Sequence, residues 1–533
     1  MPIPAPEIFT AAERAALAPY FTNIDAPVFA LRNLPEVVKG ALFARYSRSP
    51  KSLRRLFLDE FLDQVEAGAA AAEVGVSRAD KLYERIFDDY GDDSVAQLGG
   101  AHLACEGASN ILTKVLEWGR LMAYLEQSTR YIPYNDRSSG HWRYLVPSEL
   151  DAHPLRALYT QTLDHAFDTY ARWIEPMEGH YRARHPQQPG DSEAVYKRTI
   201  RAKALDTLRG LLPAATQSNV GLFGTGQAYE ALLLRMRLHP LAEVRHYADL
   251  MLVELRKVIP SFLKRVDRSD RGVRWSEYLR DVAQQTASIA ARMAEAVAPA
   301  PCDEVTLTDF DPDGEIKVVA AALYATTRLP DTQLQLLARA LSAEQRAAVL
   351  HAYVGERRNR RHKPGRAFER TSYRFDVLTD YGAFRDLQRH RMLTLEWQAL
   401  SPNHGYGVAA AVEEAGALSD WQQVMDRSAQ LYRALFAAGL ESVAPYAISM
   451  AYRVRFYMQM NAREAMHTIE LRTAPQGHPA YRRVCQAMHR LIADGAGHHA
   501  IAAAMKFADH SEVELERLHA ERAREAKRRD RDE

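Results

Sequence analysis

The sequence predicts a helix-rich α+β fold, and three observations support this prediction. Long stretches place apolar residues three and four positions apart, which is typical of amphipathic helices. Strand patterns are present but short, such as Val305-Thr306-Leu307. The length of 533 residues exceeds what one ordinary hydrophobic core accommodates, so we expect two or more domains.

Helical periodicity predicts the elements in chain order. We expect helices over residues 35–63, 101–126, 151–178, 241–265, 412–438 and 453–471. Strands are expected near residues 305–307 and over residues 373–378, where β-branched and aromatic residues concentrate. The proline-rich stretch at residues 185–191 predicts a loop that belongs to an insertion.

Composition excludes several classes of protein. Hydrophobic residues make up 47% and charged residues 26%, as in a folded globular chain, and the formal net charge of +1 argues against a general polyanion binder. Neither an 18-residue apolar run nor a secretory signal pattern is visible. Cys105, Cys302 and Cys485 lack CxxC spacing, so we expect no structural zinc and no disulfides, and a reducing cytoplasmic location.

Short internal similarities indicate a duplication. Two patterns recur in the same order: Leu211-Leu212-Pro213 then Leu234-Arg235 and His239-Pro240, and later Val443-Ala444-Pro445 then Leu471-Arg472 and His478-Pro479. The alanine- and proline-rich stretch at residues 297–302 predicts the boundary between the copies. We expect a first repeat at residues 1–298, with an insertion near 134–200, and a second at 302–533 that ends in a charged, solvated helix.

The second half carries a basic motif followed by a polar helix. Arg389-His390-Arg391 precedes Asn461, Arg463, His467 and Arg472 in the chain. Arg463 and His467 are four residues apart and share a helix face. Guanidinium and imidazole groups suit a dinucleotide, which brings two phosphates and an electron-poor ring. A solvated basic turn is the alternative interpretation of residues 389–391 taken alone.

The first half carries a complementary motif. Glu126-Gln127-Ser128-Thr129-Arg130 follows Arg120, and Arg209 stands four residues before Pro213. A hydroxyl, backbone N–H groups and a guanidinium at a helix end can cradle a phosphate. Neither half is complete, because Trp118 stands where the first Arg of an R-H-R-x7-S-x-R pattern belongs, and Ala399 stands where the Ser belongs.

Joined, the two pieces spell R-H-R-x7-S-x-R and resemble the signature of flavin-dependent thymidylate synthases. The fold is therefore expected to be two tandem repeats of that family, each with a mixed sheet and long helices. The resemblance implies a flavin-binding set of Arg389, His390, Arg391, Asn461, Arg463 and His467. It implies a nucleotide-binding set of Arg120, Glu126, Gln127, Ser128, Arg130 and Arg209, with Arg472 or Arg235 stabilising negative charge on the uracil carbonyls.

The losses in the two repeats are complementary. Gly224, Gly226 and Glu230 stand where the second copy has Asn461, Arg463 and His467, and Glu441 stands where the first has Arg209. Family members are homotetramers whose sites lie between subunits. The resemblance therefore implies one composite site between the repeats and a homodimer that rebuilds a pseudo-tetramer. Whether the site forms within or between chains stays open.

The implied reaction is the conversion of dUMP to dTMP with methylenetetrahydrofolate, FAD and NADPH, without a cysteine nucleophile or a metal. Asp386 replaces the family's Gln and puts a negative charge near the expected phosphate. The basic run at residues 357–363 could face phosphates, RNA or only solvent. Asp92-Asp93-Ser94 could act in acid–base chemistry or cap a helix. The alternatives are therefore modification of another uracil nucleotide or of an RNA uracil, or a non-catalytic paralogue that binds flavin or nucleotide.

Overall fold

The computed structural model describes residues 7–26, 29–46, 49, 51–62, 97–137, 140–189, 191–512 and 515. The chain divides into two compact units. Unit 1 consists of residues 1–106, 115–126 and 219–297, and unit 2 consists of residues 107–114, 127–218 and 298–533. Unit 2 thus contains segments from both halves of the sequence, and unit 1 contains segments from the first half only.

The described residues are mostly helical. In chain order the helices are α1 (Ala11–Leu17), α2 (Glu36–Tyr46), α3 (Leu53–Leu56), α4 (Asn110–Leu116), α5 (Arg156–Arg184), α6 (Glu193–Leu208), α7 (Gly226–Arg237), α8 (Ala242–Arg256), α9 (Gly272–Ala294), α10 (Gly314–Tyr324), α11 (Asp331–Ala340), α12 (Ala343–Val354), α13 (Tyr381–Leu387), α14 (Ala410–Glu414), α15 (Leu418–Ala437), α16 (Ala462–Arg472), α17 (Pro479–Arg490) and α18 (His499–Ala504). Among these helices, none combines the length and the apolar composition that crossing a membrane requires.

Two small sheets complete the predicted helix-rich α+β class. The strands are β1 (Gly100–Ser109), β2 (Met122–Glu126), β3 (Gln217–Thr225), β4 (Val305–Phe310), β5 (Ser372–Asp380), β6 (Thr394–Trp397) and β7 (Arg453–Asn461). Their orders are β1-β3-β2 and β4-β5-β7-β6. The predicted mixed sheet is wrong, because the paired strands are antiparallel. Strands β5 and β6 do run in the same direction, but β7 lies between them and pairs with both.

Several predicted elements are confirmed. The helices expected over residues 151–178 and 412–438 correspond to α5 and α15, and the two predicted strands correspond to β4 and β5. The predicted loop at residues 185–191 separates α5 from α6. The helix expected over residues 35–63 is interrupted between α2 and α3, and the one over 241–265 ends with α8 at Arg256.

Two predicted helices are wrong over part of their length, which forms strands. Residues 453–461 form strand β7, in which buried residues alternate with more exposed ones, and residues 101–126 form β1, α4 and β2. In both places a helix follows a strand without a loop, at Ala462 and at Asn110. No turn residues separate the apolar residues of the strand from those of the helix, so the sequence pattern predicts a single helix over both.

Strand-to-helix junctions position the polar groups of unit 2. Strand β5 ends at Asp380, whose side chain accepts a hydrogen bond from the backbone N–H of Ala383 at 2.8 Å and caps α13. Strand β7 ends at Asn461, whose side chain accepts from the N–H of Glu464 at 2.9 Å and caps α16. Such caps satisfy backbone donors that the first helical turn leaves unpaired. The two helices therefore start at fixed points on the buried sheet.

The two units share local geometry at the motifs that indicated a duplication. In unit 1, β3 leads directly into α7 and Thr225 caps it, as Asn461 caps α16 after β7 in unit 2. His239 Nδ1 accepts from the N–H of Leu241 at 3.2 Å, and His478 Nδ1 accepts from that of Ala480 at 3.2 Å. The repeated sequence patterns thus form the same turns, as expected of a duplication.

His239 makes stability depend on pH. Burial, with a smaller contribution from Arg245, lowers its pKa to about 4. The unfolded chain binds a proton below an ordinary pKa of about 6.5, whereas the folded chain does not, so stability is lost as pH falls from about 6.5 towards 4. We expect wild type to lose on the order of 1–2 kcal/mol more than His239→Gln between pH 7.5 and pH 5, measured by urea denaturation. His246→Gln, at an exposed histidine, is the control. Equal losses of stability in wild type and both variants would contradict the lowered pKa of His239.

Candidate functional site

A buried carboxylate in unit 2 brings together three of the predicted site residues. Asp386, on α13, accepts a hydrogen bond from Arg389 one turn later. Arg389 bonds to Oδ1 of this carboxylate, and Arg472 Nη1 lies 4.0 Å from the same oxygen. The second oxygen, Oδ2, lies 3.5 Å from Arg209 Nη1. Burial alone would raise the pKa of Asp386, but the guanidinium groups of Arg389, Arg209 and Arg472 hold it well below its usual range. Arg209, which is expected to bind the nucleotide, therefore lies at the same carboxylate as Arg389 and Arg472 from the second half of the chain.

Arg209 is buried and only partly satisfied. Its residue exposure is 4%, and its Nη2 has no hydrogen-bond partner among the described residues. A Cβ atom at Gly382 would lie 3.2 Å from both Nε and Nη2 of Arg209, so this glycine leaves room for the guanidinium. An unmade hydrogen bond from a buried donor costs about 1–3 kcal/mol, and more for a charged group. An anionic ligand would supply the missing acceptor.

Arg209 lines a cavity of about 380 Å³ in unit 2. Its polar wall is formed by Lys203, Asp206, Arg209, Asp380, His478 and Arg483. The apolar wall includes Trp421 and Met450, and the buried Trp421 Nε1 is a second donor without a partner among the described residues. The volume lies within the range of small-molecule sites, about 300–1,000 Å³. The cavity combines a positive wall, an aromatic wall and open donors.

Two titratable groups of this cavity are shifted towards their neutral forms. Burial raises the pKa of Asp380, although Arg209 opposes the shift. Burial lowers the pKa of His478 well below its usual range, and Arg209 lowers it further. Asp206 and Asp386 have lowered pKa values. Asp380 is therefore the carboxyl group among these three that is best placed to hold a proton.

Arg130 is held by Asp206 in the same unit. Its Nε and Nη2 donate to the two carboxylate oxygens, each at 2.6 Å, and Nη1 donates to the Tyr481 hydroxyl at 3.3 Å. Burial opposes the charge on Arg130, but Asp206 outweighs it and raises the pKa of Arg130. Ser128 Oγ accepts from the N–H of Arg130 at 3.3 Å. The predicted phosphate loop is thus ordered around an acidic partner that the sequence motifs did not reveal.

Asp206 and Lys203 are the site residues that the sequence analysis missed most plainly. They precede Arg209 by three and six positions, so α6 presents them on one face. That spacing was readable in the sequence, although it is common on solvated helices. Asp380 and His478 were also missed, because both carry the local pattern of helix caps.

His390 lies at the centre of a second buried cluster. Arg472 Nε donates to His390 Nε2 at 2.9 Å. Because a guanidinium can only donate, Nε2 is the unprotonated nitrogen and Nδ1 carries the proton. Nδ1 faces Thr468 Oγ1 at 3.1 Å and Glu464 Oε1 at 3.4 Å. Burial, followed by Arg472 and Arg389, lowers the pKa of His390 well below its usual range, so the ring is neutral.

The same cluster has the composition of a metal site but not its chemistry. Ligand atoms of His390, Glu464 and His467 lie within 4.8 Å of one another. A metal requires an unprotonated ring nitrogen, and the His390 nitrogen that faces Glu464 carries the proton. Arg472 and Lys363 also lie close enough to these histidines for their positive charges to repel a bound cation. We therefore assign no metal to these three residues.

The start of α16 is surrounded by crowded positive charge. Arg463 Nε donates to the carbonyl of Pro364 at 3.0 Å, and its Nη1 lies 3.4 Å from Glu369 Oε1. Partial desolvation of its ammonium group lowers the pKa of Lys363, and Arg463 and Arg360 lower it further against the opposing effect of Glu464. Crowded cations of this kind favour a polyanion. The charge of these donors fits the diphosphate of a flavin dinucleotide, which Lys363 and Arg360 would hold together with the predicted Arg463. The predicted Arg391 is exposed on the same segment as His390.

The basic run at residues 357–363 has two different parts. Arg357 is buried and makes a bidentate ion pair with Glu470, with both nitrogen–oxygen distances at 2.6 Å. Its Nη1 also donates to the carbonyl of Ala504 at 2.8 Å. Residues 358–363 are exposed. Arg357 thus anchors the run to α16 and the other members face solvent.

Three predicted site residues belong to unit 1, namely Arg120, Glu126 and Arg235. Arg235 on α7 lies over the ring of Trp118, with its guanidinium carbon 5.0 Å from the ring centroid, and burial lowers its pKa. Glu230, at the position of His467 in the other copy, pairs with Arg265 at 2.8 Å. Asp92-Asp93-Ser94 lies outside the described residues.

Comparison with known proteins bears out the resemblance seen in the motifs. The family model described as "Thymidylate synthase complementing protein" matches residues 41–261 and 306–496, one segment in each half. A "UPF0159 protein" of Chlamydia muridarum is 37% identical over 525 residues, which cover 97% of this chain and 99% of that protein. A UPF0159 protein of Thermoplasma acidophilum is 29% identical over 91% of this chain and 97% of its own length. A "Flavin-dependent thymidylate synthase" of Clostridium tetani is 25% identical over 36% of this chain and 73% of its own length. The predicted family resemblance is confirmed.

The buried pair of Arg357 and Glu470 gives a stability prediction. Arg357→Met leaves the buried Glu470 carboxylate without its charged partner, so we expect a loss of about 3–5 kcal/mol in the free energy of unfolding. Urea denaturation at pH 7.5 measures it. The exposed neighbour provides the control, because Arg358→Met should change stability by less than about 0.5 kcal/mol. The double variant Arg357→Met/Glu470→Leu should recover most of the loss. A loss no larger than that of Arg358→Met would show that residues 357–363 are solvated throughout.

Proposed function

Because the chain belongs to the thymidylate synthase complementing protein family, we propose that it is a flavin-dependent enzyme that converts dUMP to dTMP. Methylenetetrahydrofolate is the proposed carbon donor, and bound FAD would pass hydride from NADPH to the transferred carbon. The observation that carries the proposal is Arg209, a buried guanidinium with an open donor at a cavity of about 380 Å³. It shares Asp386 with Arg389 and Arg472 of the motifs expected to bind flavin.

The cavity residues have distinct tasks in this proposal. Arg209 Nη2, with Lys203 on the same wall, binds the nucleotide phosphate, since charged donors and phosphate oxygens form the stronger class of hydrogen bond. Asp380, whose pKa is raised, offers a proton to a carbonyl of the base. The apolar wall around Trp421 covers the base and keeps water away from it.

The His390 cluster positions Arg472. The neutral ring accepts from Arg472 Nε and Asp386 lies 4.0 Å from its Nη1, so both contacts hold this arginine in place, and we propose that it stabilises charge that develops on the uracil carbonyls. One such charge-assisted hydrogen bond contributes about 1.5–3 kcal/mol. His390, Arg463 and the cationic groups around Lys363 are the proposed partners of the flavin, and these residues belong to unit 2, as do Arg209 and Lys203.

This grouping supports a site within one chain. Arg130 and Arg209 come from the first half of the sequence, and Arg389 and Arg472 come from the second, yet all four belong to one compact unit. The Arg209–Asp386 distance of 3.5 Å supports a composite site that needs no second chain. Arg120, Glu126 and Arg235 belong to unit 1 and are not part of this proposed site.

Asp386 favours a second candidate function, the same chemistry on a different uracil. Its carboxylate already neutralises part of the positive charge of Arg209, Arg389 and Arg472. A substrate with less charge at this point, or a uracil within RNA that contacts the exposed residues 358–363, would suit the cluster as well as a dianionic phosphate.

The proposed function is tested by mass spectrometry of reaction products. Purified protein is incubated with dUMP, methylenetetrahydrofolate, FAD and NADPH, and dTMP is expected in catalytic amounts. Arg209→Met should lower kcat/KM for dUMP by about 10- to 100-fold, because it removes a charged hydrogen bond, while the flavin absorbance of the purified protein stays unchanged. Arg156→Met, at an exposed arginine, controls for loss of charge. Flavin-loaded protein that makes no dTMP would contradict the proposal that dUMP is the substrate, and uridine in RNA would be assayed next.

The flavin half of the proposal has its own test. Arg463→Ala should lower the affinity for FAD, measured by quenching of flavin fluorescence, because it removes a cation from the crowded cluster. The affinity should also depend less steeply on salt concentration than that of wild type. Arg366→Ala, at a more exposed arginine on the neighbouring segment, should leave FAD binding nearly unchanged. Equal effects of the two substitutions would place the flavin elsewhere.

A further inference from the structure

Helix α9 of unit 1 is an amphipathic helix whose apolar side is exposed. Over its 23 residues only Gly272 and Ser276 are buried. Trp275 is 60% exposed and Met293 is 75% exposed. Six residues at alternating spacings of four and three form one stripe along it: Trp275, Leu279, Val282, Thr286, Ile289 and Met293. This spacing is the seam of a helix that packs against another helix.

A groove of about 820 Å³ lies beside the N-terminal half of this helix. Leu234 of α7 and Trp275, Tyr278 and Leu279 of α9 contribute its apolar surface. Exposed apolar surface of this extent, rimmed by charged residues, marks interaction sites in soluble proteins. The groove and the stripe are continuous, because Trp275 and Leu279 belong to both.

The stripe is complementary to itself when a second copy runs antiparallel. Suppose that a two-fold axis crosses the helix pair at the level of residue 284. Trp275 then lies opposite Met293, Leu279 opposite Ile289 and Val282 opposite Thr286. The C-terminal half of α9 is also narrow, since it contains Ala283, Ala287, Ala290, Ala291 and Ala294. A narrow half can enter the groove beside the wide, aromatic half of the other copy. An isologous contact of this kind closes on itself and gives a dimer.

Charges agree with the antiparallel arrangement. The C-terminal end of a helix carries a partial negative charge, and Glu295 follows α9 directly. In the antiparallel pair this end lies near the part of the groove that contains Arg274 and Arg235. Arg235 Nε is buried and has no partner among the described residues.

We infer that α9 is a dimerisation helix, and that its occupant is the antiparallel α9 of a second copy of this chain. The helix spans about 34 Å at 1.5 Å per residue, and the seam from Trp275 to Met293 covers about 27 Å of it, close to three heptads of helix-to-helix packing. The inference does not depend on the proposed enzymatic function, because it concerns only residues of unit 1.

The test is the oligomeric state of the full chain. Analytical ultracentrifugation at micromolar concentration should give twice the chain mass for wild type. Ile289→Glu should weaken association by at least 100-fold, because it puts a charge into the seam. Gln284→Glu adds the same charge on the opposite helix face and should stay dimeric. A monomeric wild type, or a dimer that Ile289→Glu leaves intact, would overturn the inference. So would a loss of thermal stability in Ile289→Glu without any change of mass, because the helix would then pack against its own chain.

Cross-linking distinguishes the antiparallel from the parallel pair. In a Cys302→Ser background, which removes the exposed native thiol, single cysteines are introduced at Ala283 or at Met293. The antiparallel pair brings the two residues 283 together near the axis but separates the two residues 293 by roughly 27 Å. A short bismaleimide should therefore link Ala283→Cys dimers and not Met293→Cys dimers. Linkage of both variants, or of neither, would contradict the antiparallel seam.

Discussion

The buried Asp386 carboxylate is the contact on which the arrangement of unit 2 depends most. Placing a carboxylate in the interior costs several kcal/mol, and only well-placed positive groups offset that cost. Arg209, Arg389 and Arg472 supply them from three separate segments of the chain. The dependence is mutual, because three guanidinium groups this close would repel one another without a shared anion. The carboxylate thus fixes where the end of α6, the segment after α13 and the end of α16 meet.

Arg472 also begins a chain of polar contacts that runs through His390 to α16. Arg472 determines which nitrogen of His390 is protonated, and the protonated nitrogen faces Thr468 and Glu464. Both of those residues lie on α16, which Asn461 caps at the end of β7. The sheet therefore positions the polar cluster through a strand-to-helix junction without a loop. A rigid scaffold of this kind suits a site in which charge must be stabilised at fixed points.

The duplicated elements have diverged into different surfaces. In unit 1 the junction between β3 and α7 keeps its cap, but Glu230 pairs with Arg265 and Arg235 stacks on Trp118. In unit 2 the equivalent helix carries Arg463, His467 and Arg472. Unit 2 concentrates buried, shifted titratable groups around a cavity, whereas unit 1 exposes the long apolar stripe of α9. Duplication allows this division, since each copy needs to preserve only one of the original surfaces.

The sequence by itself determined the helix-rich α+β class and the family resemblance, because these depend on local motifs and their order. The residues expected to bind an anionic nucleotide and a flavin stay a prediction from the same motifs. It misassigned residues 453–461, since the alternation of buried residues in β7 runs directly into the helical pattern of α16. Tertiary structure alone decided that Arg130 is held by Asp206, that Arg357 is buried against Glu470 and that Arg209 reaches Asp386. Each of these pairs joins residues far apart in the chain. The partner of a charged side chain is selected by folding, and no local spacing encodes it.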